Sequence, residues 1–114
     1  MDFGEIRAYA DGFARATEAG NLDLIKAYLA EDRAEAIIPV LEALPRPISG
    51  TETVLVTTLP AEDSSPMGRK DFISVIAFFG PQGEILLRSK WKEEGMGAVI
   101  RSAQIVTDNP RRSR

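Results

Sequence analysis

Neither cysteine nor histidine occurs in the chain. The first absence removes disulfides and thiolate chemistry. The second removes the commonest general base and the commonest metal ligand. Aromatic side chains with a polar tip are also scarce: Tyr9, Tyr28 and Trp91 are the whole set. Positive charge is in deficit, with 14 Lys and Arg against 17 Asp and Glu, a net charge of −3. That balance is a poor match for a phosphate backbone, so nucleic acid is not an expected partner. No apolar run approaches the roughly 20 residues needed to span a bilayer. The N-terminal stretch carries Asp2, Glu5 and Arg7, which does not fit a signal peptide. A cytoplasmic protein without membrane contact is the expectation. No P-loop, dinucleotide fingerprint or nucleophile elbow is present, and no cofactor is implied.

What is present suits one globular domain. The chain has 114 residues, 44% hydrophobic and 27% charged, which is enough apolar material for a core without covalent staples. The expected domain covers residues 1–106, followed by a flexible basic tail at 107–114 with Arg111, Arg112 and Arg114. Residues 2–19 read as an amphipathic helix, with Phe3, Ile6, Ala10, Phe13 and Thr17 at helical spacing. Gly20 suits a left-handed stop, and Asn21 can cap a second helix ending near Asp32. Residues 33–44 carry two readings. Ile37, Val40, Leu41 and Leu44 form a helical stripe, with Pro39 imposing a break or kink; an extended segment through residues 36–40 competes.

From Thr51 onward the pattern becomes β-branched and apolar. Strands are expected at residues 53–59, 70–79, 84–92 and 98–106, with a polar loop at 60–69. Gly80, Pro81, Gln82 and Gly83 make a hairpin turn, and Gly95, Met96 and Gly97 another. In the third strand Ile85, Leu87, Ser89 and Trp91 share one face, and Leu86, Arg88, Lys90 and Lys92 the other. Helices followed by an antiparallel meander define an α+β fold, not a parallel α/β sheet.

Three stretches carry a family resemblance: Ala19-Gly20-Asn21-Leu22-Asp23, Tyr28-Leu29-Ala30-Glu31-Asp32 and Gly83-Glu84-Ile85-Leu86-Leu87-Arg88-Ser89. With the element order, they make the chain resemble the nuclear-transport-factor-2-like superfamily, which includes SnoaL-like cyclases and ketosteroid isomerases. The resemblance covers most of residues 6–106. It implies a cystatin-like, cone-like layout: N-terminal helices packed on a strongly bent antiparallel sheet of about four strands, enclosing a cavity. It also implies a homodimer through the outer sheet face. One departure is the stretch from Leu44 to Thr53, which is short for the family's usual extra strand and helix.

Ketosteroid isomerase works with an Asp base, a Tyr and a protonated Asp. On this chain the donor tyrosine's place falls on Phe13, the base near Ile38 and the protonated acid near Val75. Ser74 and Ile76, on either side of Val75, are not carboxylates either. Phe, Ile and Val side chains have no proton to transfer, so isomerase activity does not carry over. The expected pocket is apolar, with Tyr9, Phe13, Tyr28, Ile38, Val75, Phe79, Trp91 and Arg101 as ligand candidates. Catalytic and metal-binding residues are expected to be none.

Other polar residues have plainer readings. Asp32 and Glu35 have capping-box spacing. Glu62, Asp63, Glu93 and Glu94 suit solvated turns. Asp71 suits a cross-strand pair with Lys90 or Lys92. Ser49-Gly50-Thr51 reads as a turn rather than an anion nest. The leading functional expectation is a homodimer whose apolar pocket binds a small hydrophobic ligand without acid–base catalysis or is simply filled, core packing being the plainer reading of Tyr9, Tyr28 and Trp91. The alternatives are a cyclase, isomerase or dehydratase using Asp32, Asp71 or a tyrosine, and a protein-interaction module. In the dimer reading, Leu86 and Ile100 form an exposed apolar centre ringed by Arg88 and Lys90.

Overall fold

The computed structural model describes residues 3–58, 71–95 and 97–106, apart from the side chains of Phe3. The expected polar loop with Glu62 and Asp63, the turn residue Met96 and the basic tail lie outside the described residues. Among those described, no helix is long and apolar enough to cross a membrane.

Helix α1 spans Phe3–Ala19. It ends as glycine chemistry dictates: Gly20 takes a φ of 67°. The Gly20 and Asn21 N–H groups then close back on the Thr17 and Ala16 carbonyls at 3.1 Å each. Arg46 completes this end by donating to the Thr17 carbonyl at 2.9 Å and the Glu18 carbonyl at 3.3 Å. A cation there complements the negative end of the helix dipole. Helix α2 spans only Leu22–Ala27, with the Asn21 side chain accepting from the Leu24 N–H.

The expected run of α2 to Asp32 does not form, because the sheet captures the chain. The Ile100 N–H donates to the Tyr28 carbonyl at 2.7 Å, and the Ala30 N–H donates to the Ile100 carbonyl at 2.8 Å. Leu29 thereby forms an isolated parallel bridge with Ile100. A single 3₁₀ turn, Glu31–Arg33, leads into helix α3, Ala34–Glu42. The helical reading of this stretch holds, and α3 continues past Pro39 without a break. The cost is the helix bond that the Glu35 carbonyl would have received from residue 39. Glu35 is exposed, so water can serve its carbonyl, while Ile37 and Leu41 anchor α3 in the core.

The sheet contains β1 (Gly50–Thr58), β2 (Asp71–Gly80), β3 (Gly83–Glu94) and β4 (Gly97–Val106). They are antiparallel neighbours in chain order, so the sheet is open, with β1 and β4 as its edges. The β2–β3 connection is a two-residue turn between the paired Gly80 and Gly83. Pro81 presets the turn's first corner, and Gly83 supplies a φ of 114°. Asp71 sits directly opposite Lys92, the cross-strand placement its sequence context suggests.

All three helices pack on one face. Ile6, Phe13, Ile25, Ile37 and Leu41 join Phe72, Ile76, Leu87, Trp91 and Ile100 in one core cluster. Polar groups fasten the edge of this layer: Arg7 donates to the Thr53 carbonyl at 3.0 Å, and the Thr53 hydroxyl donates to the Asp11 carboxylate. The other sheet face carries a smaller cluster made of strand residues alone: Val75, Ala77 and Leu86, with Val54, Phe79 and Val106.

Candidate functional site

Trp91 is the centre of the helix-facing layer and is fully buried. Its ring stacks on Phe72 at a centroid distance of 5.6 Å and an interplanar angle of 11°. Phe13 and Tyr28 meet it edge-on at 6.0 and 6.3 Å, and Tyr9 also at 6.3 Å. Edge-to-face and offset contacts of this kind are the favoured aromatic geometries, worth about 0.5–1.5 kcal/mol each beyond burial. The Trp91 Nε1–H donates to Ser74 Oγ at 2.9 Å, so the ring's polar atom is satisfied inside the core. Where the resemblance implies a hollow, five aromatic rings interlock.

The eight ligand candidates do not converge. Tyr9, Phe13, Tyr28 and Trp91 come together in this ring cluster. Val75 and Phe79 belong to the cluster on the opposite sheet face. Ile38 lines a groove on the helical side. Arg101 is the extra residue of a β-bulge, where Lys90 pairs Ser102 but Trp91 pairs Ile100. Its guanidinium stands 3.8 Å from the exposed carboxylate of Asp32. Of the three positions matched to the isomerase groups, Phe13 and Ile38 pack in the helix-facing layer, whereas Val75 lies on the opposite sheet face.

The expected apolar centre formed by Leu86 and Ile100 is also corrected. Ile100 is fully buried against Trp91 on the helix side, while Leu86 lies on the other face and is 4% exposed. The bulge at Arg101 reverses the alternation that would have placed Ile100 outward.

Among the described residues, a concavity lies between the C-terminal end of α1, α2 and α3. It is an open groove of about 540 Å³, within the range typical of small-molecule sites, roughly 300–1,000 Å³. Ile25, Ile38 and Leu41 make its apolar floor, Ala19, Gly20 and Leu22 one wall, and Glu42 and Arg46 its polar rim. Leu22 is 44% exposed and neighbouring Leu24 is 53% exposed. Arg46 is fixed by the α1 carbonyls, so this rim is preorganised.

Sequence reasoning picked out Ile38 but missed Leu22, Ile25, Leu41 and Arg46. A signal was present: Leu22, Leu24 and Ile25 in six helical residues put apolar groups on more than one face of α2. A second hollow of about 400 Å³ is lined by Lys26, Leu29, Glu31, Ala34, Glu94 and Val99, and half of these residues are charged.

No described Asp or Glu is buried; the buried polar side chains are Thr17, Thr53, Ser74 and Ser89. Asp32 is exposed, and Asp71 is half-buried at the start of β2. The groove has no general base lodged in its floor.

Fold and site together define an α+β domain with helices on one face of an open antiparallel sheet and an apolar groove among the helices. Comparison with protein-family models, curated proteins and solved structures found no match for this chain.

Proposed function

We propose that the protein is a binding domain of nuclear-transport-factor-2-like layout that takes a small hydrophobic ligand in the groove between α1, α2 and α3, without acid–base catalysis. One observation carries this reading: the apolar concavity floored by Ile25, Ile38 and Leu41 is open, whereas the space around Trp91 is filled by rings. A ligand of mainly hydrocarbon surface gains about 25 cal/mol per Å² buried, and nothing in the floor demands a polar partner. The cyclase or isomerase reading needs a sheltered carboxylate in a concave site. Asp32 and Asp71 are outside such a shelter.

The test is titration with Nile red, a neutral fluorescent hydrophobe, followed by its emission. Ile38→Asp and Leu22→Asp place charge in the floor and wall without touching the ring cluster. Each is expected to weaken binding about tenfold, because an unpaired carboxylate must be desolvated on contact. Unchanged binding in both variants, with the native circular dichroism retained, refutes the groove as the site.

A further inference from the structure

The two edges of the sheet are finished differently. On β1, the Arg7 guanidinium takes the Thr53 carbonyl, Glu52 adds an exposed charge, and the register shifts between Thr53 and Leu55. Charge, a bulge and a covering side chain are means of blunting an edge against another strand. On β4 such cover stops at Ile100, whose N–H and C=O are taken by Tyr28 and Ala30. Beyond it run Ser102, Ala103, Gln104, Ile105 and Val106, with neither charge nor proline. An edge strand turns its backbone groups outward at every second residue, and the bulge at Arg101 moves that alternation on by one. Ala103 and Ile105 therefore follow Ile100 in presenting N–H and C=O outward. Among the described residues no backbone group meets them. Ile105 is also 43% exposed.

We propose that this edge pairs with the same edge of a second copy of the chain, antiparallel about a two-fold axis at Gln104. In that register Ala103 of one copy meets Ile105 of the other, and the reverse, each pair exchanging both of its N–H···O bonds. Two open sheets become one continuous sheet, and Ile105 gains an apolar neighbour across the junction. Residues 102–106 face themselves without a like-charge penalty, because none is charged. Pairing β4 with the blunted β1 edge of another copy would build an open row of copies, whereas β4 on β4 closes at a dimer. The resemblance implies face-to-face packing through the outer sheet face instead. There Ile73, Val75, Ala77 and Leu86 are already buried within one copy. The proposal is independent of the groove among the helices.

The test is sedimentation of the full chain over a concentration series, with amide exchange as the site-specific readout. A reversible dimer is expected, in which the Ala103 and Ile105 amides gain protection about tenfold or more as concentration rises. Gln104 is exposed, so it can be changed without disturbing the core. Gln104→Lys and Gln104→Glu each set like charges directly opposite at the axis and are each expected to weaken the dimer about fivefold. Mixed in equal amounts, the two variants are expected to recover the association of the native chain. Leu55→Ser, opposite Val75 on the outer face, leaves the dimer unchanged. A monomer at the concentrations used for NMR overturns the proposal. So does a dimer that both Gln104 variants leave intact, one that Leu55→Ser disperses, or one in which the Ala103 and Ile105 amides exchange as freely as in the monomer.

Discussion

Ser74 and Ser89 face each other across β2 and β3, both fully buried beneath the rings. Their situations differ. Ser74 Oγ accepts from Trp91, whereas Ser89 Oγ has no hydrogen-bond partner. Leaving a buried polar group unpaired costs about 1–3 kcal/mol. Ser74→Ala is therefore expected to destabilise by about that amount, since it strands the indole N–H. Ser89→Ala is expected to be neutral or slightly stabilising, and urea unfolding midpoints measure both. Gly12 offers a sharper test. In the interior of α1 it costs roughly 1 kcal/mol relative to alanine. A methyl there would overlap the Tyr28 hydroxyl. Gly12→Ala alone should destabilise the fold, and a Tyr28→Phe background should relieve much of that loss, the remaining ring carbon standing 3.1 Å from the methyl. An equal loss in both backgrounds would show that the hydroxyl is not what holds glycine at this position. Gly97 faces the same constraint, as its Cβ would fall 2.6 Å from the Tyr9 hydroxyl.

At the level of elements, local chemistry settled some boundaries and tertiary contact settled others. The stop of α1 was legible, because Gly20, lacking a Cβ, enters the left-handed region freely and Asn21 carries a capping side chain. The order and hand-off of the strands were legible too, because β-branched runs separated by Gly and Pro admit few alternatives. The end of α2 was not. Nothing near Tyr28 breaks a helix; the backbone of Ile100, more than 70 residues away, claims the Tyr28 carbonyl and the Ala30 N–H. Amide exchange tests this: the Ile100 N–H should be as protected as the central β2 amides, although β4 is an edge strand. The faces of β2 were equally hidden. Phe72 to Phe78 are buried without interruption, so alternation gives no sign that Val75 and Phe79 look away from Phe13. In α3, Pro39→Ala should raise stability by about 2 kcal/mol, the proline's helix cost less its restriction of the unfolded chain. A lower urea midpoint would mean that Pro39 does more for α3 than it costs.

Over the whole molecule, the two layers divide the tasks. The inner layer spends its aromatic residues on packing: Phe13, Phe72 and Trp91 fill the space a ligand would need. The sequence left two readings open for these aromatics, core packing and a ligand face, because burial by one another reads the same as burial around a cavity. The groove was less visible still, since it exists only where α1, α2 and α3 converge and Arg46 ties the last turn of α1. Truncating that tie, Arg46→Ala, is expected to cost about 0.5–1 kcal/mol and to loosen the rim, with Arg46→Lys recovering part of the loss.

The central claim is that ligand enters among the helices and not beneath them. Methyl-resolved NMR during titration with Nile red separates the two directly. The account predicts that the methyls of Ile25, Ile38 and Leu41 shift and saturate together while those of Leu87 and Ile100 stay fixed. Movement of Leu87 and Ile100, with the groove methyls unchanged, would contradict it.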